Sequence, residues 1–425
     1  MFKAGFAQAD ITPPLGTHKI GWLRDLVPTR ILDPLYAKVA VFESDGERIA
    51  IVALDTLLSE RKTVVEVRRR AAALGIPGMR LMMCATHNHA GPAVGRCGDV
   101  PEDGPYVARM RDSVLDAIGR AVRGLEPAEW GVASVFEHAM THSRRVVQRD
   151  GTVKTHGRFT DPAEALCFEG PVDPEVAVVA ARRPGGALLG ILVCYANHPT
   201  HHGGDDAFSA GYPGALAARM AERGCPVTLY LTGAQGSIHF GDPRVEGEPD
   251  EAAVGGALAD DAVRALAAVR WRPGAVLDAA SETVVLPFRT PTPEEIAGKV
   301  PGAQRFIDPA IYERGMPALL DEVRRFPGRE AEAQCLFLDE LAFVSLPGEF
   351  FGALGLSLKE RAFPRRAIPV GLANGDVGYV PHREAFARGG YETTFGLDTS
   401  VLAPGAGELF VETAAALIAR RAKAR

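Results

Sequence analysis

Short apolar runs alternate with amphipathic stretches along most of the chain, and this order predicts a mixed α/β protein. Turn residues separate paired β-type runs at 36–54 and 332–346, which predicts two hairpins. Further strands are predicted at 80–86, 188–196, 227–231, 277–287 and 367–372. Helical periodicity predicts helices at 61–74, 106–125, 212–223, 252–269, 311–325, 349–360 and 407–421. This mixed order favours an α/β domain with mixed β-sheets flanked by helices over a single doubly wound sheet. No internal sequence repeat is evident.

Four of the apolar runs lead into a residue that can bind a metal. The pairs of run and residue are 80–86 with His87, 189–196 with His198, 341–348 with Glu349, and 368–374 with Tyr379. In open α/β sheets ligand sites lie beyond the carboxyl ends of the strands, so these side chains can meet in one crevice. Imidazole and carboxylate suit zinc, and a catalytic zinc site keeps a position for water. The pattern therefore indicates a zinc site.

Taken singly, these residues also have ordinary structural interpretations. His87 and His89 are two residues apart, so in an extended segment one can bind metal while the other lies beside the activated water. A hydrogen-bonded pair in a loop is the alternative. His198 can instead cap an element or lie in the core, with His201 and His202 at the rim of the site. Glu349 precedes an apolar stretch and is also typical of a helix N-terminus.

The tyrosines give the weakest signal on their own. Tyr379 and Tyr391 are typical of packed rings whose hydroxyls make a hydrogen bond. Asp55 ends an apolar run and either orients a ligand histidine or caps a turn. The string RRVVQR at 144–149 favours an anionic substrate or forms a solvated basic turn.

Composition narrows the classes of partner. The net charge of −6 over 425 residues argues against nucleic acid or an anionic membrane as the main partner. The six cysteines form no CxxC motif, and a disulfide framework is not expected. The N-terminus has no apolar signal region, and the longest apolar stretch is about half of a membrane span. We therefore expect a cytoplasmic protein that acts on a small molecule; the oligomeric state is not indicated.

Several strings, taken together, resemble the neutral/alkaline (non-lysosomal) ceramidase family in its N-terminal catalytic domain. The strings are AGFAQADITPP at 4–14, DPLYAK at 33–38, ATHNHAGP at 85–92, GPVDPE at 170–175, NHPT at 197–200, TGAQG at 232–236, PGE at 347–349, GYVP at 378–381 and YETTFG at 391–396. Their order and spacing agree over nearly the whole chain. The resemblance implies a ceramidase-like catalytic fold, and we expect one zinc-dependent hydrolase domain over 1–425.

The resemblance also implies roles for individual residues. It places Zn²⁺ on His87, His198, Glu349 and Tyr379. Tyr391 would contact the substrate carbonyl oxygen, and His89 would lie near the scissile group and move the proton. The arginine that the family carries after the first third of the domain falls on Arg144 or Arg145, in uncertain register.

Two departures from the family pattern affect the expected reaction. The position of the family's nucleophilic serine is His239, and Ser237 lies two residues earlier, so a serine nucleophile is not expected. His239 is expected to bind substrate, to join the metal ligands, or to lie in a solvated loop. The β-sandwich domain that follows in ceramidases is not expected here, which argues against ceramide itself as the substrate.

The expected activity is hydrolysis of an amide (N-acyl) bond by a metal-activated water. A zinc-dependent esterase or lactonase acting on a small polar substrate is the alternative within enzymes. A non-catalytic, metal-stabilised binding protein is the alternative outside them.

Overall fold

Three mixed sheets form the body of the structure, a computed structural model that describes residues 1–159, 161 and 163–423. The N-terminal sheet has the spatial order Leu81–Ala85, Glu47–Leu54, Tyr36–Ser44, Lys3–Asp10, Glu126–Pro127. The middle sheet has the order Thr228–Thr232, Leu188–Tyr195, Glu175–Arg182, Glu129–Phe136. The C-terminal sheet has the order Arg366–Gly371, Leu341–Leu346, Gly328–Leu338, Leu277–Pro287. Several sheets with helices between the strands confirm the predicted α/β class.

The same succession of elements builds all three sheets. Each begins with three antiparallel strands, continues through a helix to a fourth strand parallel to the third, and ends with a second helix. The helix pairs are Arg61–Ala71 with Gly104–Arg123, Gly211–Glu222 with Glu251–Ala267, and Gly352–Ala362 with Ala406–Lys423. The chain therefore contains a threefold repeat of topology that its sequence does not reveal. We call the three copies the first, middle and last units.

The central strands of each unit are buried on both faces. On one face they pack against the helices of their own unit, as Val52 does with Val64 and Met110. The other faces of the three sheets share one apolar cluster, which contains Phe42 and Phe343. Burial on both faces explains why these strands are near-continuous apolar runs rather than alternating ones.

Shorter elements lie between the units and around the ends of their strands. Arg145–Gln148, Val153–Thr155 and Ala165–Phe168 form a small antiparallel sheet. Two-residue strands pair as Lys19–Ile20 with Gly91–Pro92, Arg30–Ile31 with Ala207–Phe208, His142–Ser143 with Ile238–His239, and Glu349–Phe350 with Tyr379–Val380. The remaining helices are Pro293–Ile296 and Pro309–Arg325, with 3₁₀ turns at Ala72–Leu74, Gly78–Arg80, Arg383–Ala387 and Tyr391–Thr393.

The helix predicted at 349–360 is wrong at its start. Glu349 lies in an extended segment whose backbone N–H donates to the carbonyl of Gly378 at 3.0 Å. This bond ties Glu349 to the segment that carries Tyr379, and the helix begins only at Gly352. No helix in the described part of the chain is both long and apolar enough to cross a bilayer.

Candidate active site

Three histidines meet beyond the strand ends of the first and middle units. His87 follows the strand Leu81–Ala85, and His198 follows Leu188–Tyr195. The Nε2 atom of His87 lies 3.0 Å from that of His198 and 3.2 Å from that of His89. His87 has a left-handed backbone with φ of 64°. Such a conformation is strained for a residue with a side chain and is typical of functional sites.

Backbone carbonyls fix the tautomers of His87 and His89. Nδ1 of His87 donates to the Leu57 carbonyl at 2.8 Å, and Nδ1 of His89 donates to the Gly21 carbonyl at 2.6 Å. Nδ1 of His198 lies 3.4 Å from the Gln235 carbonyl. A carbonyl oxygen only accepts, so Nδ1 of His87 and Nδ1 of His89 carry the hydrogen, and Nε2 of each of these two rings presents a lone pair when the ring is neutral. Lone pairs that face one another without a hydrogen repel, and a bound cation removes that repulsion.

Glu349 completes this arrangement. Its Oε2 lies 3.4 Å from Nε2 of His87 and 3.5 Å from Nε2 of His198, and it is buried without a hydrogen-bond partner. Tetrahedral ligands about 2.1 Å from a zinc ion lie roughly 3.4 Å from one another, so these separations fit one shared ion. The orphaned carboxylate and the lone pairs of the imidazoles suit zinc. His87, His89 and His198 together form a group that can hold a metal.

The ionisation of the histidines follows from burial and neighbouring charge. Burial lowers the pKa of His87, but the Glu349 carboxylate outweighs it and the net shift is upward. Burial, together with cationic neighbours, lowers the pKa of His89 and His198 well below the usual 6.5. His89 and His198 are therefore neutral near pH 7, the form in which imidazole binds metal.

Arg144 links the last unit to the histidines. Its Nη2 donates to the hydroxyl of Tyr379 at 3.0 Å and to the carbonyl of Gly236 at 2.9 Å. Its Nη1 lies 3.4 Å from Nδ1 of His198. Burial raises the pKa of Tyr379 well above 10, and the charge of Arg144 acts in the opposite direction. Arg145 instead binds Glu169, Glu392 and the carbonyl of Gly389, so Arg144 is the arginine that faces the site.

A deep pocket of about 560 Å³ opens onto this cluster. The ring of Tyr391 lines it, with ring centroids 5.7 Å from Tyr379 and 4.8 Å from Phe306. The lining also includes apolar and charged residues. The apolar ones include Trp22, Leu23, Leu57, Leu58, Ile307 and Leu397, and the charged ones besides Arg144 and Glu349 are Glu60, Arg96, Arg329, Asp376 and Asp398.

Two residues of the serine-like segment lie apart from the histidine cluster. Nε2 of His239 lies 2.7 Å from Oγ1 of Thr200, and the ring is buried, so His239 is not a solvated loop histidine. The hydroxyl of Ser237 accepts a hydrogen bond from the backbone N–H of Gly352 at 3.1 Å. Ser237 therefore supports the start of a helix.

Two further interpretations of the sequence are corrected. Asp55 does not orient a ligand histidine: it is 3.1 Å from Nζ of Lys38, and the Leu57 carbonyl holds His87 instead. The string at 144–149 is not a solvated turn at its start. Arg144 and Arg145 are buried, and Arg145–Gln148 is a strand.

Sequence reasoning missed two residues that act on this site. Glu392 accepts hydrogen bonds from Arg144 and Arg145, and Thr200 lies beside His239 at the pocket wall. Both had a usable signal, because Glu392 directly follows Tyr391 and Thr200 is the last residue of the NHPT string.

The fold and the cluster together define a mixed α/β protein with a candidate metal centre in a deep pocket. Among solved structures, a ceramidase complexed with C2 is similar, with a TM-score of 0.77 and 16% identity over 99% of this chain and 75% of that chain. Neutral ceramidase from Pseudomonas aeruginosa is also similar, with a TM-score of 0.74 and 18% identity over 99% of this chain and 75% of that chain. Neither a family model nor a curated protein matches the chain. The likeness confirms a neutral ceramidase-like fold.

Proposed function

We propose that the protein is a zinc-dependent hydrolase that cleaves an amide (N-acyl) bond. The observation that carries the proposal is the convergence of the three Nε2 atoms and the orphaned Glu349 carboxylate at the base of the pocket. The ceramidase-like fold supports an enzyme that hydrolyses amides.

In this proposal His87, His198, Glu349 and Tyr379 would hold the metal. Nε2 of His89 lies 3.2 Å from that of His87, directly beside this set. A bound Zn²⁺ supplies Lewis acidity toward a carbonyl and lowers the pKa of a water. Other residues of this chain would bind the substrate and transfer the proton.

Two side chains at the pocket wall would bind the substrate and its transition state. The Tyr391 hydroxyl would donate to the carbonyl oxygen of the substrate, where negative charge develops during attack. The burial that raises the pKa of Tyr391 well above 10 keeps that hydroxyl protonated and able to donate. Arg144 donates through Nη2 to the Tyr379 hydroxyl and places Nη1 beside His198 at the same wall.

His89 would move the proton to the leaving nitrogen. Its Nδ1 is held by the Gly21 carbonyl, so only Nε2 is available for exchange. Burial holds the pKa of this ring well below 6.5, so its protonated form is a strong acid toward the leaving nitrogen.

Metal analysis and substrate hydrolysis test the proposal together. Protein purified without added metal should contain about one zinc per chain, and a chelator should abolish hydrolysis of a short N-acyl amide until zinc is returned. The variant His87→Ala should lose the zinc and the hydrolytic activity. His18→Ala, which changes an exposed histidine, should keep the zinc and the activity. An active, metal-free His87→Ala protein would refute the proposal.

A further inference from the structure

A second chamber of about 330 Å³ adjoins the catalytic pocket. The two share Trp22, Arg144, His156 and Thr200 as walls, so a substrate at the histidine cluster can extend into the chamber. Its remaining lining residues are Gly157, Arg158, His239, Gly241, Pro243 and Glu248. Half of these carry a polar or charged side chain, namely Arg158, His239 and Glu248.

The hydroxyl of Thr200 is oriented by His239. The backbone N–H of Gly241 donates to Nδ1 of His239 at 3.0 Å, so the hydrogen of the neutral ring is on Nε2. That Nε2–H donates to Oγ1 of Thr200 at 2.7 Å. Burial lowers the pKa of His239 well below 6.5, which keeps this tautomer neutral. Thr200 accepts from His239, so its own hydrogen is left to donate into the pocket.

His156 supplies a second donor. Its ring nitrogens make no hydrogen bond to any residue that the structure describes, and its backbone has a φ of 56°. The ring packs edge-on against His239, with centroids 5.0 Å apart. The residue is exposed to the chamber, and as a neutral imidazole its ring offers one N–H. A strained, unpartnered histidine on a cavity wall is typical of ligand binding.

Arg158 supplies the charge. Its Nη1 donates to the Val245 carbonyl at 3.2 Å, and among the described residues it forms no ion pair. Glu248, the one acid among the described residues that line the chamber, is half-exposed; burial raises its pKa and the charge of Arg158 acts in the opposite direction. Arg144, the other arginine at the wall, is already neutralised by Glu392. The chamber therefore offers two neutral donors and the guanidinium of Arg158, which no described acid contacts within ion-pair distance.

We infer that this chamber binds a carboxylate on the amine side of the substrate, so that the substrates are N-acylated amino acids. Thr200 and His156 would each donate one hydrogen bond to the carboxylate, and Arg158 would add a charge-assisted one. His239 is then a positioning residue that acts through Thr200. The acyl group would occupy the partly apolar catalytic pocket. This inference rests on the proposed amide hydrolysis.

Matched substrates test the inference. N-octanoylglycine and N-octanoylethanolamine share the acyl group and the amide and differ in the carboxylate. The purified protein should hydrolyse the glycine conjugate with a kcat/KM at least about tenfold higher, because a hydrogen bond to a charged group contributes about that factor or more. Arg158→Gln and Thr200→Val should each reduce this preference about tenfold, mainly through KM. Thr200→Ser should retain it, and Arg219→Gln, an exposed control, should not change it.

The outcomes separate this inference from the proposed function. Chelator-sensitive hydrolysis of both conjugates without a preference would overturn the inference and leave the amide hydrolase standing. If neither conjugate is hydrolysed, the inference is tested by measuring the binding of each compound to the zinc-loaded protein by calorimetry. Tighter binding of N-octanoylglycine that Arg158→Gln weakens would support the chamber, and equal binding would overturn it.

Discussion

Glu392 accepts a 2.7 Å hydrogen bond from Nε of Arg144, and both side chains are almost completely buried. Its other oxygen accepts from Arg145 at 2.5 Å and from the hydroxyl of Thr155 at 2.7 Å. Burial raises the pKa of Glu392, but the two arginines outweigh it and bring it to about 2. One carboxylate therefore holds the arginine of the active site and neutralises its charge.

Replacing this carboxylate tests its role. Glu392→Gln should lower kcat at least about tenfold while zinc content stays near one per chain, because Arg144 loses the bond that aims it at Tyr379. It should also lower the free energy of unfolding by about 3 to 5 kcal/mol, since two buried arginines lose their shared partner. Urea titration and steady-state kinetics measure these effects. Glu384→Gln, which changes an exposed acid nearby, serves as the control, and a Glu392→Gln protein with normal kcat would contradict the assignment.

Substitutions at two glycines distinguish the effect of backbone strain from the effect of displacing His89. Gly21 has a φ of 113°, and a Cβ there would lie 2.7 Å from Cα of His89. Gly16 has a φ of 95°, with nothing within 4 Å of a Cβ. Gly21→Ala should lower kcat/KM by about 10- to 100-fold, because the carbonyl that fixes His89 must move. Gly16→Ala should keep full activity and lose only about 1 kcal/mol of stability. Equal kcat/KM values for Gly21→Ala and Gly16→Ala would show that activity does not depend on the position of His89.

The stability of the protein should depend on pH through Asp398. Burial raises the pKa of Asp398 from the ordinary 3.8 to about 6. The folded chain therefore holds this proton between about pH 4 and 6 while the unfolded chain has lost it, so stability falls as pH rises through that window.

Asp398→Asn should remove this loss. The variant keeps an acceptor for the backbone N–H of Gly98, and asparagine tolerates the φ of 58°. In urea titrations, the free energy of unfolding of Asp398→Asn should exceed that of the unsubstituted protein by about 1 to 2 kcal/mol more at pH 7.5 than at pH 4.5. Asp45 also has a left-handed backbone, with φ of 50°, but it is exposed, and Asp45→Asn should show no such gain. A pH-independent difference for Asp398→Asn would exclude the ionisation as the cause.

The buried pair of Lys38 and Asp55 should be coupled in its effect on the free energy of unfolding. Lys38→Met leaves the Asp55 carboxylate uncompensated and should cost about 3 to 5 kcal/mol of stability. Adding Asp55→Asn removes that charge and keeps an acceptor for the backbone N–H of Tyr36. The double variant should therefore be more stable than Lys38→Met alone, as measured by urea titration. A double variant less stable than either single one would contradict a direct pairing.

Much of the fold was predictable from local pattern. The strand Leu277–Pro287 and the hairpin of Tyr36–Ser44 with Glu47–Leu54 follow from apolar runs and turn residues. The strand-end argument also placed His87, His198 and Glu349 in one crevice, because buried strands that run toward the same edge bring their ends together.

The rest depends on contacts between distant segments. The helix predicted from Glu349 yields to a backbone bond with Gly378, which no local pattern contains. Glu392 meets Arg144 across 248 positions of the chain, and Thr200 meets His239 across 39. Pairings of this kind are set by the topology, so the strings that contain Glu392 and Thr200 do not indicate which residues they contact.

The threefold repeat of topology has a consequence for how this site can arise. The first unit supplies His87, the middle unit His198, and the last unit both Glu349 and Tyr379. In the proposed metal site no unit would carry all four donors, so a fragment with only one or two of the units would lack a complete site. An ion bound by all four side chains would also cross-link the three units at the point where they meet.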